Sequence, residues 1–339
     1  MKLKRLSGIV LLINLFVLIA CKNPQQPNET VLPAAYTQTP ALKNITNKII
    51  GSPENARNYY ERGLLLHSIK QDSLALMDFN QAVKYDSTKA EYYSAIGELL
   101  FEHKDLNGSL LWIKKAIELN PNDMKAHLKI AKMFVYLEDY PNAFKEINKV
   151  LREDAMSPEA YFLKGMIYKN IADSSNKAMS SFMTAVQIMP EYKDALMQIG
   201  LLYDKRNDST ALIYYQNAFN ADTTDVTPIY ARGMYYQNKN NMERAKAEYK
   251  KCITYQKDFV NAYYNMGYLL LQQDSFSLAH NQFEKVTQLE PKNAKAFYNK
   301  GLCNELQGKT VEAITDYTKA EALDNNYQEA KAGLIRLNK

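Results

Sequence analysis

Ala262-Tyr263-Tyr264-Asn265-Met266-Gly267-Tyr268-Leu269-Leu270 is the stretch whose reading decides the fold. Its apolar residues follow a helical period, yet a glycine sits at its centre, where Gly destabilises a helix by ~1 kcal/mol relative to Ala. A small residue recurs in the same setting at Gly63, Gly97, Ala131, Gly165, Gly200, Gly233, Gly267 and Gly301, at steps of 34, 34, 34, 35, 33, 34 and 34. The 35 and the 33 cancel, so the register survives. A cost repeated so often needs a common cause, and close approach of a second helix at every beat supplies one. The spacing therefore predicts an all-α chain in which one helical hairpin is repeated eight times, over 56-89, 90-123, 124-157, 158-192, 193-225, 226-259, 260-293 and 294-327.

The chain before the first beat has a different character. Lys2, Lys4 and Arg5 precede an apolar run from Ile9 to Ala20 that is too short to span a bilayer, where about 20 apolar residues are needed. Residues 1-20 read as a secretory signal peptide. Leu18-Ile19-Ala20-Cys21 resembles the bacterial lipobox, which implies that Cys21 becomes the acylated first residue of the mature chain. Several acyl chains on one residue anchor a protein stably. Residues 21-53, with Pro24, Pro27, Pro33, Pro40 and Pro53 among many Asn, Gln and Thr, bury too little to offset their ordering and read as a flexible tether. Within them Leu42 to Ile50 carries a weak helical pattern able to dock on the first hairpin.

With Gly63 set at position 8, the units resemble the tetratricopeptide repeat: large at 4, small at 8, large at 11, small at 20, aromatic at 24, small at 27 and often Pro at 32. The seventh unit supplies Tyr263, Gly267, Leu270, Ala279, Phe283, Val286 and Pro291, and the first supplies Tyr59, Gly63, Leu66, Ala75, Phe79, Ala82 and Ser87. The fourth unit carries one extra residue before Ala178 and the fifth is one short, which puts the local helix A to helix B geometry near residues 170 to 225 in question. The resemblance implies a right-handed superhelical solenoid with a concave groove lined by helix A. Residues 328-339 continue the helix-A pattern through Ala332 and Leu334 and read as a capping helix.

Composition and spacing narrow the function. The chain has 42 basic and 37 acidic residues; without the three charges of the signal the balance is 39 to 37, and eight of the basic residues in the whole chain are Arg. Nucleic acid is therefore not an expected partner. His67, His103, His127 and His280 fall in four different units, and no nucleophile motif, Gly-rich phosphate loop or Cys-x-x-Cys is present, so no catalytic residue, metal, cofactor or small-molecule substrate is expected. Cys252 and Cys303 read as compact apolar residues. Asp72-Ser73-Leu74, Asp86-Ser87-Thr88, Asp208-Ser209-Thr210 and Asp222-Thr223-Thr224 read as turn and cap residues, although they also resemble O-glycosylation sites of Bacteroidetes.

The aromatic content is what remains to bind something. Position 5, which faces the groove in the family, reads Tyr60, Ser94, Leu128, Phe162, Met197, Tyr230, Tyr264 and Tyr298, and Tyr268 stands at position 9 of the seventh unit. Asn261, Asn265 and Asn299 flank these tyrosines. The groove floor reads as apolar and aromatic from the fourth unit onward, with charge in the second and third. Tyrosine offers rigid area and a hydroxyl, the chemistry favoured at protein interfaces; the same rings also serve to pack one helix A on the next. The expectation is a non-enzymatic scaffold: a lipoprotein of the outer membrane, facing the periplasm, that recruits envelope proteins such as cell-wall hydrolases, proteases or members of an assembly, secretion or gliding complex. The alternative is a chaperone-like binder of apolar or translocating segments.

Overall fold

A computed structural model describes residues 33–337. The signal segment and Cys21 lie outside the described residues, and every described element is helical. The chain forms two compact units divided at Tyr92/Tyr93. Among the described residues no helix is long and apolar enough to cross a membrane.

The first unit contains a short 3-10 turn (Ala34–Thr37), α1 (Pro40–Gly51), α2 (Ala56–Ser68) and α3 (Asp72–Tyr85). Part of the segment read as a tether is therefore folded. Thr39 caps α1 by accepting the Leu42 N–H, and Pro40 takes the first helical position, where its missing N–H is harmless. Leu42, Ile45 and Ile49 are buried along one face of α1. The physical reason for this departure is Arg62 on α2, a charge among apolar neighbours. Its Nε and Nη2 donate to the two carboxylate oxygens of Asp78 at 2.7 and 2.8 Å, and its guanidinium lies 3.7 Å from the centroid of the Tyr36 ring. Thr46 on α1 donates to the Tyr36 carbonyl at 3.0 Å. Burial pushes the Asp78 carboxyl up, and the hydrogen bonds and charge of Arg62 pull it back. A buried pair of this kind is strongly destabilised when one partner is removed, so the polar N-terminal segment folds because it encloses and satisfies that pair.

The second unit runs as helix pairs: α4 (Ala90–Glu102), in which the division falls, with α5 (Leu106–Leu119); α6 (Met124–Tyr136) with α7 (Tyr140–Glu153); α8 (Pro158–Asn170) with α9 (Ser175–Ile188); and α10 (Lys193–Lys205) with α11 (Ala211–Ala221). It continues with α12 (Thr227–Asn238) and α13 (Met242–Tyr255), α14 (Val260–Gln272) and α15 (Phe276–Leu289), α16 (Ala294–Leu306) and α17 (Thr310–Leu323), and ends in α18 (Gln328–Leu337). Hairpins are numbered here from α2–α3 as the first to α16–α17 as the eighth.

The glycine beat has a more specific cause than close backbones. A Cβ on Gly165, Gly200 or Gly233 would stand 2.5 to 2.6 Å from the ring of Phe182, Tyr215 or Tyr249 on the partner helix, and those rings are fully buried. What these glycines admit is the flat edge of a ring, as Gly63, Gly267 and Gly301 also do; Gly97 differs, meeting the aliphatic Ile113 at 2.6 Å. Where position 24 is the aliphatic Ile147, position 8 is Ala131.

Seven of the eight hairpin turns contain a non-glycine residue in the left-handed region: Lys70, Lys104, Glu138, Asp173, Asn207, Asn240 and Asp274, with Gly308 in the eighth. In all but the fourth hairpin the turn closes by a bond from the residue after this one to a carbonyl five residues back, as in Asp105 N–H to Leu100 O at 2.9 Å. The fourth spends its extra residue here: Ile171 N–H reaches Tyr168 O and Ser174 N–H reaches Ile171 O, both at 3.3 Å. The fifth keeps the closure (Asp208 N–H to Tyr203 O, 3.0 Å) and shortens helix B, since α11 has 11 residues where α9 has 14. Both irregularities are absorbed between glycine and ring, so the ring meets its glycine in each case.

The cap also differs from the sequence expectation. Ala330 and Gly333 are the buried residues of α18, while Ala332 is exposed. Gly333 rests on the opposite edge of the Tyr317 ring from Gly301. Ile335, which falls at position 8, is 63% exposed. Asp86, Asp208 and Asp222 each accept the backbone N–H two residues on, the turn role read from their sequences.

Candidate groove on the helix-A face

Two adjoining clefts open on the helix-A face of the second unit. One, of about 250 Å³, is lined by Glu98 and Phe101 of α4, by Lys125, Leu128 and Lys132 of α6 and by Glu159 of α8. The other, of about 340 Å³, is lined by Lys132, Tyr136, Phe162, Met166 and Asn170, with Glu138 and Asp194 at its rim. Lys132 is common to both.

The sequence builds this site by simple periodicity. Lys125, Lys129 and Lys132 stand at i, i+4 and i+7 and so form one strip along α6, with Leu128 beside it. The start of α6 is fixed by Asp123, which accepts the Ala126 N–H at 3.1 Å. A buried cluster pins the preceding turn: His127 Nδ1 meets Glu146 at 2.5 Å, and Lys149 Nζ meets His127 Nε2 at 2.8 Å and the Pro121 carbonyl at 2.5 Å. His127 Nε2 thus lies between the Lys149 ammonium and the Pro121 carbonyl, 3.0 Å away, while Nδ1 faces Glu146.

Charge is ordered along the clefts. Lys129 is paired with Glu98 at 2.7 Å, and Lys132 lies 5.3 Å from the Phe101 ring centroid. Lys125 has no ion-pair partner among the described residues, and neither do Glu138, Glu159 and Asp194. Burial first, then the charges of Glu159 and Asp194, push the Tyr192 hydroxyl up, so it remains a neutral donor. Its ring is 5.3 Å from Phe162. On the same strip of α4 as Glu98 and Phe101, Ser94 is 8% exposed and its hydroxyl has no hydrogen-bond partner.

The tyrosines of the later hairpins are placed differently. The Tyr230 hydroxyl accepts from Asn265 Nδ2 at 2.8 Å, and the Tyr264 hydroxyl from Asn299 Nδ2 at 3.0 Å, each bond linking one helix A to the next. Asn265 Nδ2 also lies 3.4 Å from the Tyr249 hydroxyl. The rings fill the space beside helix B: Tyr230 against Tyr249, Tyr264 against Phe283 and Tyr298 against Tyr317, with centroids 5.5 to 5.7 Å apart. Burial pushes the hydroxyls of Tyr230 and Tyr264 up, and the Asn amides oppose it. Gly333 holds the place in α18 that Asn265 and Asn299 hold in theirs, so the ladder ends at Tyr298.

Of the residues singled out in the sequence, Phe162 lines a cleft, Tyr268 and Asn261 are exposed, and Tyr60 packs in the first unit against Phe79 and Tyr92. The amide nitrogens of Asn265 and Asn299 are committed to tyrosine hydroxyls. Lys132 is the charge expected on the groove in the third unit, whereas Lys125, Lys129, Phe101 and Tyr136 were not singled out, although their spacing was readable. Cys252 and Cys303 are fully buried free thiols, both pushed up to about 12 by burial. No group of three or more metal-ligating side chains occurs among the described residues.

Comparison with known proteins agrees with this architecture. A family model described as tetratricopeptide repeat matches residues 264–328, and a second with that description matches 90–123 and 227–259. A TPR repeat-containing protein of Methanocaldococcus jannaschii is 26% identical over 81% of this chain and 44% of its own length. A DnaJ homolog subfamily C member 7 homolog of Dictyostelium discoideum is 23% identical over 80% of this chain and 55% of its own. The chain thus spans about half the length of these curated relatives. The crystal structure of the APC/C hetero-tetramer Cut9-Hcn1 contains a chain that shares the fold, with a TM-score of 0.51 and 15% identity over 88% of this chain and 59% of that one.

Proposed function

The chain belongs to the tetratricopeptide-repeat family, and on that premise we propose that it is a non-enzymatic protein-binding scaffold whose helix-A groove, over hairpins two to five, seats a segment of a partner polypeptide. The observation that carries the reading is the pair of adjoining clefts that share Lys132 and combine an apolar floor with a charged rim. Apolar pockets edged by a few oriented charges are the usual form of a recognition surface. The aromatic ladder of Tyr230, Tyr264 and Tyr298, with exposed Tyr268 and Asn261, extends that face. The sequence of residues 1-21 supports an address for the scaffold: export, acylation at Cys21, and residence in the outer membrane facing the periplasm, with envelope proteins as partners.

Site-specific photo-cross-linking in the native cell tests the groove. A photo-reactive side chain in place of Tyr136, which is 63% exposed on the groove, is expected to capture one or two proteins; the same group in place of Leu111, 68% exposed on α5, is expected to capture none of them. Equal capture at both places ends the groove reading. A smear of many weakly held polypeptides at Tyr136 would favour a chaperone-like binder instead. The address is tested by palmitate labelling, which should be lost, together with membrane association, in Cys21→Ser.

A further inference from the structure

Resting on the groove reading, we infer that the two clefts select a partner segment by charge order: an acidic end beside the α6 lysines, apolar residues in the middle, and a basic end toward Glu138 and Asp194 of the second cleft. Three observations meet here. Lys125 and Lys132 are exposed on one strip, and neither is neutralised by a carboxylate, since Glu98 is spent on Lys129. Toward α10 the sign reverses, because Glu138 and Asp194, neither of them in an ion pair, line the second cleft, whereas the unpaired Glu159 lines the first beside the lysines and leaves that cleft with an excess of positive charge. Between these ends the floor is Leu128, Phe162 and Met166, without a charge.

The groove is close to neutral as a whole, so net charge does not choose the partner. Order does. Opposite charges facing one another at both ends contribute modestly to affinity but fix register, while the reversed order places like charges together at both ends and is disfavoured. Lys132 sits where the two clefts join, over the Phe101 ring, and is the side chain that a ligand must pass to occupy both.

The test uses the purified full-length protein and fluorescent synthetic peptides of one composition: glutamates, leucines and lysines arranged in blocks in either order, or with the charges mixed. One block order is expected to bind at least ~10-fold more tightly than the other and than the mixed peptide, with the advantage shrinking as salt rises. The double variant Lys125→Glu with Lys132→Glu should lose that binding about 10-fold or more. Its binding should return for a peptide whose glutamates are replaced by lysines. Both residues are exposed, and an unchanged melting curve verifies folding. Equal binding of both orders and the mixture overturns the inference, as does a double variant without effect. If no peptide binds while Tyr136 still cross-links a partner, charge order fails and the groove reading survives; if neither occurs, the groove reading itself fails.

Discussion

Hairpins two to four and hairpins six to eight have the same backbone plan and opposite uses of position 5. In the later group this position is Tyr230, Tyr264 and Tyr298; each ring lies against an aromatic of its own helix B, and the first two hydroxyls are tied to the next helix A through Asn265 and Asn299. In the earlier group it is Ser94, Leu128 and Phe162; Phe162 lies against Phe182 of its own helix B as the tyrosines do, but none of the three carries a phenol hydroxyl to tie to the next helix A, and clefts open along this stretch. What ties the later stretch to itself is therefore a hydroxyl at position 5 bonded to an Asn amide of the next helix A. The closed stretch is bound to itself across successive helices, and the open stretch keeps its charges for something else.

The sharpest way to break this comparison is at position 8. Gly233→Leu drives a side chain into the Tyr249 ring, whose nearest carbon is 2.5 Å from where a Cβ would stand, and should destabilise by about 3 kcal/mol or more. Ala131→Gly in the open stretch removes a methyl that faces Ile147 and should destabilise by ~1 kcal/mol. An unfolding midpoint unmoved by Gly233→Leu would mean that rings do not set the beat. Next in size is the ladder itself. A double-mutant cycle of Tyr264→Phe and Asn299→Ala should show a coupling of ~1 kcal/mol in denaturant unfolding, and none would reduce the ladder to proximity. By contrast Lys132→Ala should change stability by less than ~0.5 kcal/mol while weakening peptide binding; a large loss of stability would make that lysine structural.

The smallest effect lies where the two stretches meet, in the turn before α12. Lys193 bridges Asp222 and Asp225 at 2.9 and 3.0 Å. The Thr224 hydroxyl first, and Lys193 next, hold the Asp222 carboxyl down at about 2. A depressed carboxyl contributes stability that is fully present above its ordinary value and is lost as pH falls through about 2. Asp222→Asn should therefore lower the unfolding midpoint most at neutral pH, with the difference from the parent shrinking as pH falls from about 4 to ~2, so that the variant's acid profile is the flatter one. Parallel acid profiles for the two proteins would remove this bridge from the account.

The fold was legible because its signal is local and repeated: a glycine in an apolar helix, eight times over, counting Ala131 as one beat. The reason for the glycine was less so, since the ring that meets it lies about 16 residues away, and sequence spacing does not say which side chain points there. The N-terminal segment was read in part: the helical pattern of Leu42 to Ile50 is α1, while composition read its surroundings as a tether. Thr39-Pro40 and the trio Leu42, Ile45 and Ile49 are an ordinary helix start and face, but proline and asparagine around them outweighed that pattern, and the need of Arg62 for an enclosing partner is a tertiary fact. At the groove, tyrosines drew attention because their chemistry is conspicuous, whereas the clefts are lined largely by Lys125, Lys132, Phe101 and Met166, whose convergence is set by how successive helices A stack. The pairing of Tyr230 with Asn265 spans 35 residues and becomes visible only when adjacent helices are laid side by side.

The extra residue of the fourth hairpin and the missing one of the fifth carry a practical lesson. Each is taken up wholly between a glycine and its ring, leaving the neighbouring hairpins in phase. The array counts contacts, and it is indifferent to chain length in between. The turn at Ile171–Ser174 is thus a seam where foreign sequence can be stitched in, a place to carry a tag or a second binding module, with the rest of the array unaware that the chain has grown longer.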